Sequence, residues 1–271
     1  MRLRRALAAA TLGLLVVASV AAAQFRGRFT IPTRLVVPGS FNGAFLFCRI
    51  SFRNQSSGDG DGWYVDYPRA DLNLSFRLSE LTKTPISRDA AGTINHVLIR
   101  LTDPELTACP FIMMSEPGGA YFDAMEAGAL RDYLEKGGFL WVDDFWGPRA
   151  WANWAGEIAK ALRENQYPIQ DLPLSHELFH VLYDIREFPQ IPSIGFWLNT
   201  GGRTSERGAA SAEPHARAIF DARGRIMVLM THNTDFGDAF EREGENREYF
   251  VKFAPPGYAF GVNALVYAMT H

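Results

Sequence analysis

The run Leu134-Glu135-Lys136-Gly137-Gly138-Phe139-Leu140-Trp141-Val142-Asp143-Asp144-Phe145-Trp146-Gly147 constrains the fold more than any other stretch of the 271 residues. Gly137 and Gly138 supply the left-handed backbone that ends a helix. Residues 139–142 are apolar without alternation, as in a parallel strand covered on both faces. Asp143 and Asp144 mark the carboxyl end of that strand. Open α/β sheets bind ligands outside the carboxyl ends of their strands, so this one stretch predicts both an architecture and a place for chemistry.

The same pattern recurs along the chain. Residues 45–52 predict a first core strand, and Leu72, Phe76, Leu78 and Leu81 fall at helical spacing within 71–83. Strands are expected over 94–101 and 111–114, the latter closed by Ser115-Glu116-Pro117-Gly118-Gly119. Asp123 and Glu126 have capping-box spacing ahead of the apolar Met125, Leu130, Tyr133 and Leu134. Residues 151–164 read as an amphipathic helix, 169–172 as a short strand and 193–214 as an exposed insertion. Segments 219–220 and 226–230 flank the turn Asp221-Ala222-Arg223-Gly224, a hairpin signature, and 258–269 close the chain as a helix. Strands alternating with helices predict the α/β class, with a mostly parallel, doubly wound sheet. The strands at 45–52, 111–114 and 139–142 should be parallel neighbours.

Arg2, Arg4 and Arg5 precede the apolar run 6–20, which leads into Ala21-Ala22-Ala23, the three-part pattern of a secretory signal peptide. Residues 1–23 are therefore expected to direct export, to the periplasm or beyond. The run is short of the roughly 20 apolar residues of a spanning helix, and nothing later is apolar enough to form a transmembrane segment. Residues 24–43 read as an N-terminal arm that straps the domain or stays mobile, and 44–271 as a single α/β domain. A hydrophobic content of 47% is enough for a substantial core. Losing residues 1–23 removes three arginines and leaves 24 Lys and Arg against 30 Asp and Glu, a net −6, which disfavours nucleic acid as a partner. Cys48 lies in the first strand and Cys109 just before the third. An offset of about four residues at about 3.3 Å each exceeds the reach of a disulfide, so both cysteines are expected to be unbridged.

Several short motifs together carry a likeness to a known family. They are Asp61-Gly62-Trp63-Tyr64, Cys109-Pro110-Phe111-Ile112-Met113-Met114, and Leu130-Arg131-Asp132-Tyr133-Leu134 running into Gly137-Gly138-Phe139-Leu140. Asp143-Asp144, His176 with Phe179-His180, Asp235-Phe236-Gly237-Asp238 and the closing Gly261-Val262-Asn263-Ala264-Leu265-Val266-Tyr267-Ala268 complete the set. The chain resembles the bacterial domain-of-unknown-function family 4159 and, more distantly, the trehalose-utilisation (ThuA-like) branch of the class I glutamine amidotransferase-like fold. The resemblance implies a flavodoxin-like three-layer α/β/α sandwich and brings no activity with it. Glutaminases of that fold need a thiol on a Gly-x-Cys-x-Gly elbow. Neither Cys48 nor Cys109 sits in such a context, and the strand that would carry the elbow ends in Val142-Asp143-Asp144, so glutamine hydrolysis is not expected.

Candidate chemistry clusters after the strands. Asp143 and Asp144 are consecutive, so in an extended strand they leave opposite faces and one alone faces the cleft. The other would accept backbone N–H bonds from the next segment. His232, Asp235 and Asp238 follow the strand at 226–230, and a His with carboxylates can bind a divalent metal or move protons. Alternatively, Asp235 and Asp238 fix a turn through side-chain bonds to the backbone. Glu116 is a further strand-end carboxylate. Asp61 shares a glycine loop with Trp63 and Tyr64, which either stack on a sugar ring or pin the loop. A calcium loop is not expected, because the twelfth position counted from Asp59 is Ala70. His176-Glu177-Leu178-Phe179-His180 matches His-Glu-x-x-His, in which two imidazoles one helical turn apart bind zinc. Pro173 and Pro189, however, leave room only for a short helix, and the related family pattern usually has Pro where this chain has Glu177.

The expectation is an exported domain with an acidic and histidine-containing cleft for a small-molecule or carbohydrate-like ligand, with metal-assisted hydrolysis as its chemistry. Asp143, Asp144, His180 and His232 are the catalytic candidates. Asp61, Trp63, Glu116, Asp235 and Asp238 are the ligand-binding candidates. A divalent metal is the candidate cofactor, with His176, His180 and His232 as its candidate ligands. A non-catalytic envelope-interaction module and a zincin-type metallopeptidase are the alternatives.

Overall fold

A computed structural model of the chain describes residues 34–37 and 39–271. The expected signal peptide and the arm up to residue 33 lie outside the described residues. What is described of the arm lies along the sheet: Leu35 bridges Leu98, and the Val36 N–H donates to Leu98 O at 3.1 Å.

The strands, in chain order, are β1 (Phe47–Ile50), β2 (Arg53–Asn54), β3 (His96–Ile99), β4 (Ile112–Ser115), β5 (Ala120–Tyr121), β6 (Leu140–Phe145), β7 (Gln170–Asp171), β8 (His215–Phe220) and β9 (Ile226–His232). Among the described residues, seven of them form one sheet in the order β3-β1-β4-β6-β9-β8-β7, while β2 and β5 pair separately. β3, β1, β4, β6 and β9 are mutually parallel; β8 runs antiparallel to β9, and β7 to β8. The expected parallel neighbours are found, with Cys48 opposite Ile112 and Ile112 opposite Leu140. From β1 the chain moves outward to β3, then returns to the other side of β1 as β4. The β1–β4 crevice is therefore the point where strand order reverses, where ligands of such sheets bind.

Among the described residues, six α-helices accompany these strands: α1 (Arg69–Thr82), α2 (Ala124–Glu135), α3 (Gly147–Ala161), α4 (Ile194–Asn199), α5 (Phe236–Glu241) and α6 (Arg247–Thr270). Alternate strand residues feed two separate cores. Phe47, Met113, Trp141 and Leu229 pack with Leu74 and Leu78 of α1, Phe240 of α5 and Phe260 of α6. Cys48, Ile112, Leu140 and Met230 pack with Leu130 of α2 and with Trp154 and Ile158 of α3. Each such side chain taken out of water contributes about 1.5–3 kcal/mol. Both faces of the sheet are thus dry, which explains the absence of polar alternation in the sequence of its central strands.

Most expected elements are present, and α2 carries the full capping box: Asp123 accepts from Met125 N and Glu126 N, and Glu126 reaches back to Asp123 N. The closing helix starts earlier than residue 258. It begins at Arg247 and continues through Pro255 and Pro256. Prolines there remove two N–H donors, but the carbonyls left over belong to Val251 and Lys252, which are exposed and open to water. The segment 193–214 is more than an exposed insertion, since it contains α4 and a 3₁₀ turn, Gly208–Ser211, whose Ser211 is buried.

The thiol expectation is overturned: Cys48 and Cys109 form a disulfide, with Cα atoms 6.2 Å apart. The register argument assumed that the chain ahead of β4 continues its line. Instead the 3₁₀ turn Pro104–Ala108 folds it back, with the Cys109 N–H donating to Leu106 O, and brings Cys109 beside β1. The bridge spans 61 residues in sequence, and restricting the unfolded chain over such a loop is worth up to about 4 kcal/mol. Unreduced protein should therefore weigh two hydrogens less than reduced protein, and Cys109→Ser should cost roughly 2–4 kcal/mol of stability. Equal masses before and after reduction would contradict the bridge.

Candidate metal centre

β6 does not stay extended to its end. Asp144 lies in the left-handed region, at φ 58°, and pairing with β9 slips between Val142 and Phe145. Bulges of this kind re-aim side chains. Both are buried at the carboxyl rim, and they divide as expected of a consecutive pair, although a bulge and not an extended strand sets their directions: Asp144 alone joins a close set of carboxylates, and Asp143 accepts a backbone N–H. Asp143 is held from both sides: Thr231 Oγ1 donates to Oδ1, and the Gly237 N–H donates to Oδ2 at 3.0 Å. Thr231 in turn accepts from Trp141 Nε1 at 2.9 Å. Asp144 accepts from Trp146 Nε1 at 3.0 Å through Oδ1.

Two more aspartates come from α5. Asp235 caps it by accepting the Asp238 N–H at 2.7 Å, which is the turn-fixing role foreseen for this pair. Asp238 accepts the Ile194 N–H and pairs with Arg242, whose Nε lies 3.2 Å away.

The central member, Asp66, was not singled out from the sequence. Its position is set from β1. Arg49 is fully buried there; its Nε donates to Asp71 Oδ1 at 3.0 Å, and Nη1 donates to Ser115 Oγ at 2.6 Å and to the carbonyls of Trp63 and Val65 at 3.3 and 3.1 Å. The loop thus stapled turns at Asp66, with φ 62°. Gly237 lets the carboxylate in, because a Cβ at that position would collide with Asp66 Oδ2. The sequence did hold a signal, a lone Arg inside the apolar run 45–52, since a buried guanidinium requires a partner and acceptors.

One carboxylate oxygen from each of Asp66, Asp144 and Asp235 lies within 4.8 Å of the others. These residues are only 6, 7 and 3% exposed. Asp66 Oδ2 is buried and has no hydrogen-bond partner. Burial, and next the charges of Asp238 and Glu241, push Asp66 well above the usual carboxylate range. Asp144 is raised by burial and then by Glu116 and Asp66, and Asp235 by burial and then by Asp144 and Asp66. Asp143 is pushed up to about 7, chiefly by burial. Asp66, Asp238 and Glu241 form a second close set that shares Asp66. Three oxygens converging with no nitrogen or sulfur donor suit a hard cation such as Mg²⁺, Mn²⁺ or Ca²⁺.

The other expected residues are placed differently. Glu116, raised to about 7 chiefly by burial, sits at the end of β4, where Oε2 accepts from the N–H groups of Gly62, at 2.7 Å, and Asp61. Asp61 therefore contributes its backbone there, while Trp63 is half-buried edge-on to Tyr64 and Tyr67 and pins the loop. His232 does not join the carboxylates. Alternation in β9 places it on the face opposite Thr231, against the rings of Phe145 and Trp151. Arg217 Nη1 can only donate to its Nδ1, at 3.2 Å, so Nε2 carries the proton toward Gly147 O, at 3.1 Å. Burial lowers its pKa to about 4, leaving a neutral ring that fixes the turn into α3.

His176 and His180 are not paired as ligands either. Residues Glu177–His180 form a 3₁₀ turn, not an α-helix. His176 Nδ1 accepts the Leu178 N–H, and its ring packs on Phe220 and Tyr267, near the start of β9 and away from its carboxyl end. His180 uses Nδ1 on Asp184 and Nε2 on Leu174 O, both at 2.8 Å. Among the described residues, neither close set includes a histidine.

The carboxylates make stability depend on pH in a stated direction. A carboxyl group raised in the folded state binds its proton more tightly there than in the unfolded chain, so stability falls as pH rises from the unfolded value near about 4 through the folded one. Asp66, Glu116, Asp143, Asp144, Asp235, Asp238 and Glu241 all act this way. His96, His176, His215 and His232 are lowered and oppose them, but only up to about pH 6.5. With a chelator present, the melting temperature should be higher near about pH 5 than near about pH 8. The reverse order would contradict the charged, buried rim.

None of the curated proteins matches this chain. A family model described as Domain of unknown function (DUF4159) matches residues 50–269, a span that contains every carboxylate of the rim from Asp66 to Glu241. The chain belongs to the DUF4159 family.

Proposed function

We propose that this domain binds one hard divalent cation through Asp66, Asp144 and Asp235 and uses it to hold a small, oxygen-rich, carbohydrate-like ligand at the carboxyl rim of the sheet, with metal-assisted hydrolysis as the chemistry such a centre would supply. The observation that carries this reading is the buried, unpartnered Oδ2 of Asp66 among carboxylates drawn from three separate segments. A bare carboxylate oxygen out of water is expensive unless a cation or proton meets it. Tyr64, exposed beside the loop that wraps Glu116, offers a ring face on which a sugar could stack. The low exposure of the three aspartates favours a second reading, a structural cation in a non-catalytic module, because it leaves such an ion few positions for a ligand.

The sheet order and the helices on both faces support the flavodoxin-like, class I amidotransferase-like fold. The disulfide leaves neither Cys48 nor Cys109 as a free nucleophile, which supports the absence of glutaminase chemistry. It also supports an exported setting, where disulfides persist. Among the described residues, no helix is long and apolar enough to cross a membrane.

Titrating chelator-stripped protein with Mg²⁺, Mn²⁺ or Ca²⁺ in a calorimeter should show saturable uptake. Asp66→Asn and Gly237→Ala should each weaken it by roughly tenfold to a hundredfold, while His232→Ala leaves it unchanged. Equal uptake by wild type and Asp66→Asn would refute the centre. Faster hydrolysis of model glycosides or esters on adding the cation separates the catalytic from the structural reading.

A further inference from the structure

The two close carboxylate sets share Asp66, as the bridging carboxylate of a two-cation site would. Yet they are unequal. Beside the set of Asp66, Asp144 and Asp235, the donors reaching the carboxylates are the indole of Trp146 and the Asp238 N–H, both neutral. The set of Asp66, Asp238 and Glu241 already has a cation of its own. Arg242 Nε lies 3.2 Å from Asp238 Oδ1 and 2.8 Å from Glu241 Oε2, and Nη1 lies 3.5 Å from Glu245. The contact to Glu241 is an ion pair without hydrogen-bond alignment, so Glu241 Oε2, like Asp66 Oδ2, is left without a hydrogen-bond donor. Side chains of residues 238 and 242 lie one turn apart on the chain, where Arg and Asp meet naturally.

We propose that Arg242 is a tethered counter-ion that occupies the second cation position and keeps the centre mononuclear, so that removing its guanidinium opens Asp66, Asp238 and Glu241 to a second hard divalent ion. This rests on the reading of the first set given above. The physical reason is occupancy as well as charge. The guanidinium already takes oxygens of Asp238 and Glu241 that an ion would need, and its positive charge repels a second ion at close range. Two-metal sites hold their ions about 3.5–4 Å apart with a bridging ligand, and Asp66 is the one residue common to both sets.

The test is a count of Mn²⁺ bound by chelator-stripped full-length protein, by calorimetry together with electron paramagnetic resonance. Wild type should bind one ion, with the signal of isolated Mn²⁺. Arg242→Gln should bind two, the second more weakly, with the broadened signal of coupled ions. Arg242→Lys, which keeps the charge, should bind one. Two ions in wild type, or a single ion in folded Arg242→Gln, would overturn the proposal. No ion in wild type but one in Arg242→Gln would sink the first set while upholding the part given to Arg242; none in either protein sinks both. If Arg242→Gln folds only with cation, Mn²⁺ must raise its melting temperature by more than it raises that of wild type, and an equal rise overturns the proposal.

Discussion

Carboxylates withdrawn from water must meet a cation, a proton or a hydrogen-bond donor, and at the carboxyl rim of this sheet not every carboxylate oxygen has such a partner within the protein. Asp66, Asp143, Asp144, Asp235 and Asp238 are buried together. The two guanidinium groups nearby are largely committed, Arg49 to Asp71 and Arg242 to Asp238 and Glu241. Hydrogen bonding accounts for Asp143, held by Thr231 and Gly237, and for half of Asp235. Asp66 is left with an oxygen that nothing in the protein meets. A divalent ion held by Asp66, Asp144 and Asp235, as we propose, would resolve the imbalance at its centre.

Three local departures from regular structure create it. Left-handed backbone at Asp66 and Asp144 turns both side chains inward, at an energetic cost that an L residue bears only when its surroundings impose it. Gly237 admits Asp66 at a distance any side chain would forbid. Arg49, fixed in the sheet, binds the carbonyls just ahead of Asp66 and the Asp71 just after it, linking β1, the loop and α1 in one network. Breaking one partner of a buried pair such as Arg49–Asp71 costs about 3–5 kcal/mol, so this network ties the stability of the core to the placement of the site.

The sequence made the layers legible and the site only partly so. Apolar runs such as 139–142 report a strand covered on both faces, and Asp123 with Glu126 reports a helix start, because both signals are local and repeat with a fixed period. Asp143, Asp144 and Asp235 lie at the carboxyl rim, where the rule that ligands gather at strand ends directs attention. Asp66 and Arg49 were missed because their meaning is non-local: Arg49 is read only with Asp71 and the loop carbonyls, and Asp66 only with Gly237. His232 misled because position after a strand does not reveal which face a side chain takes. His176 and His180 misled because a spacing of four implies a shared face only in an α-helix, and this segment is a 3₁₀ turn. The disulfide was hidden by one turn, Pro104–Ala108, that redirects Cys109.

The most direct test of the central claim is a crystal grown with Mn²⁺ and measured at the manganese absorption edge. The account expects one strong anomalous peak, roughly 2 to 2.4 Å from a carboxylate oxygen of each of Asp66, Asp144 and Asp235. A rim without a peak at saturating Mn²⁺, or a peak held instead by His176 and His180, would contradict it.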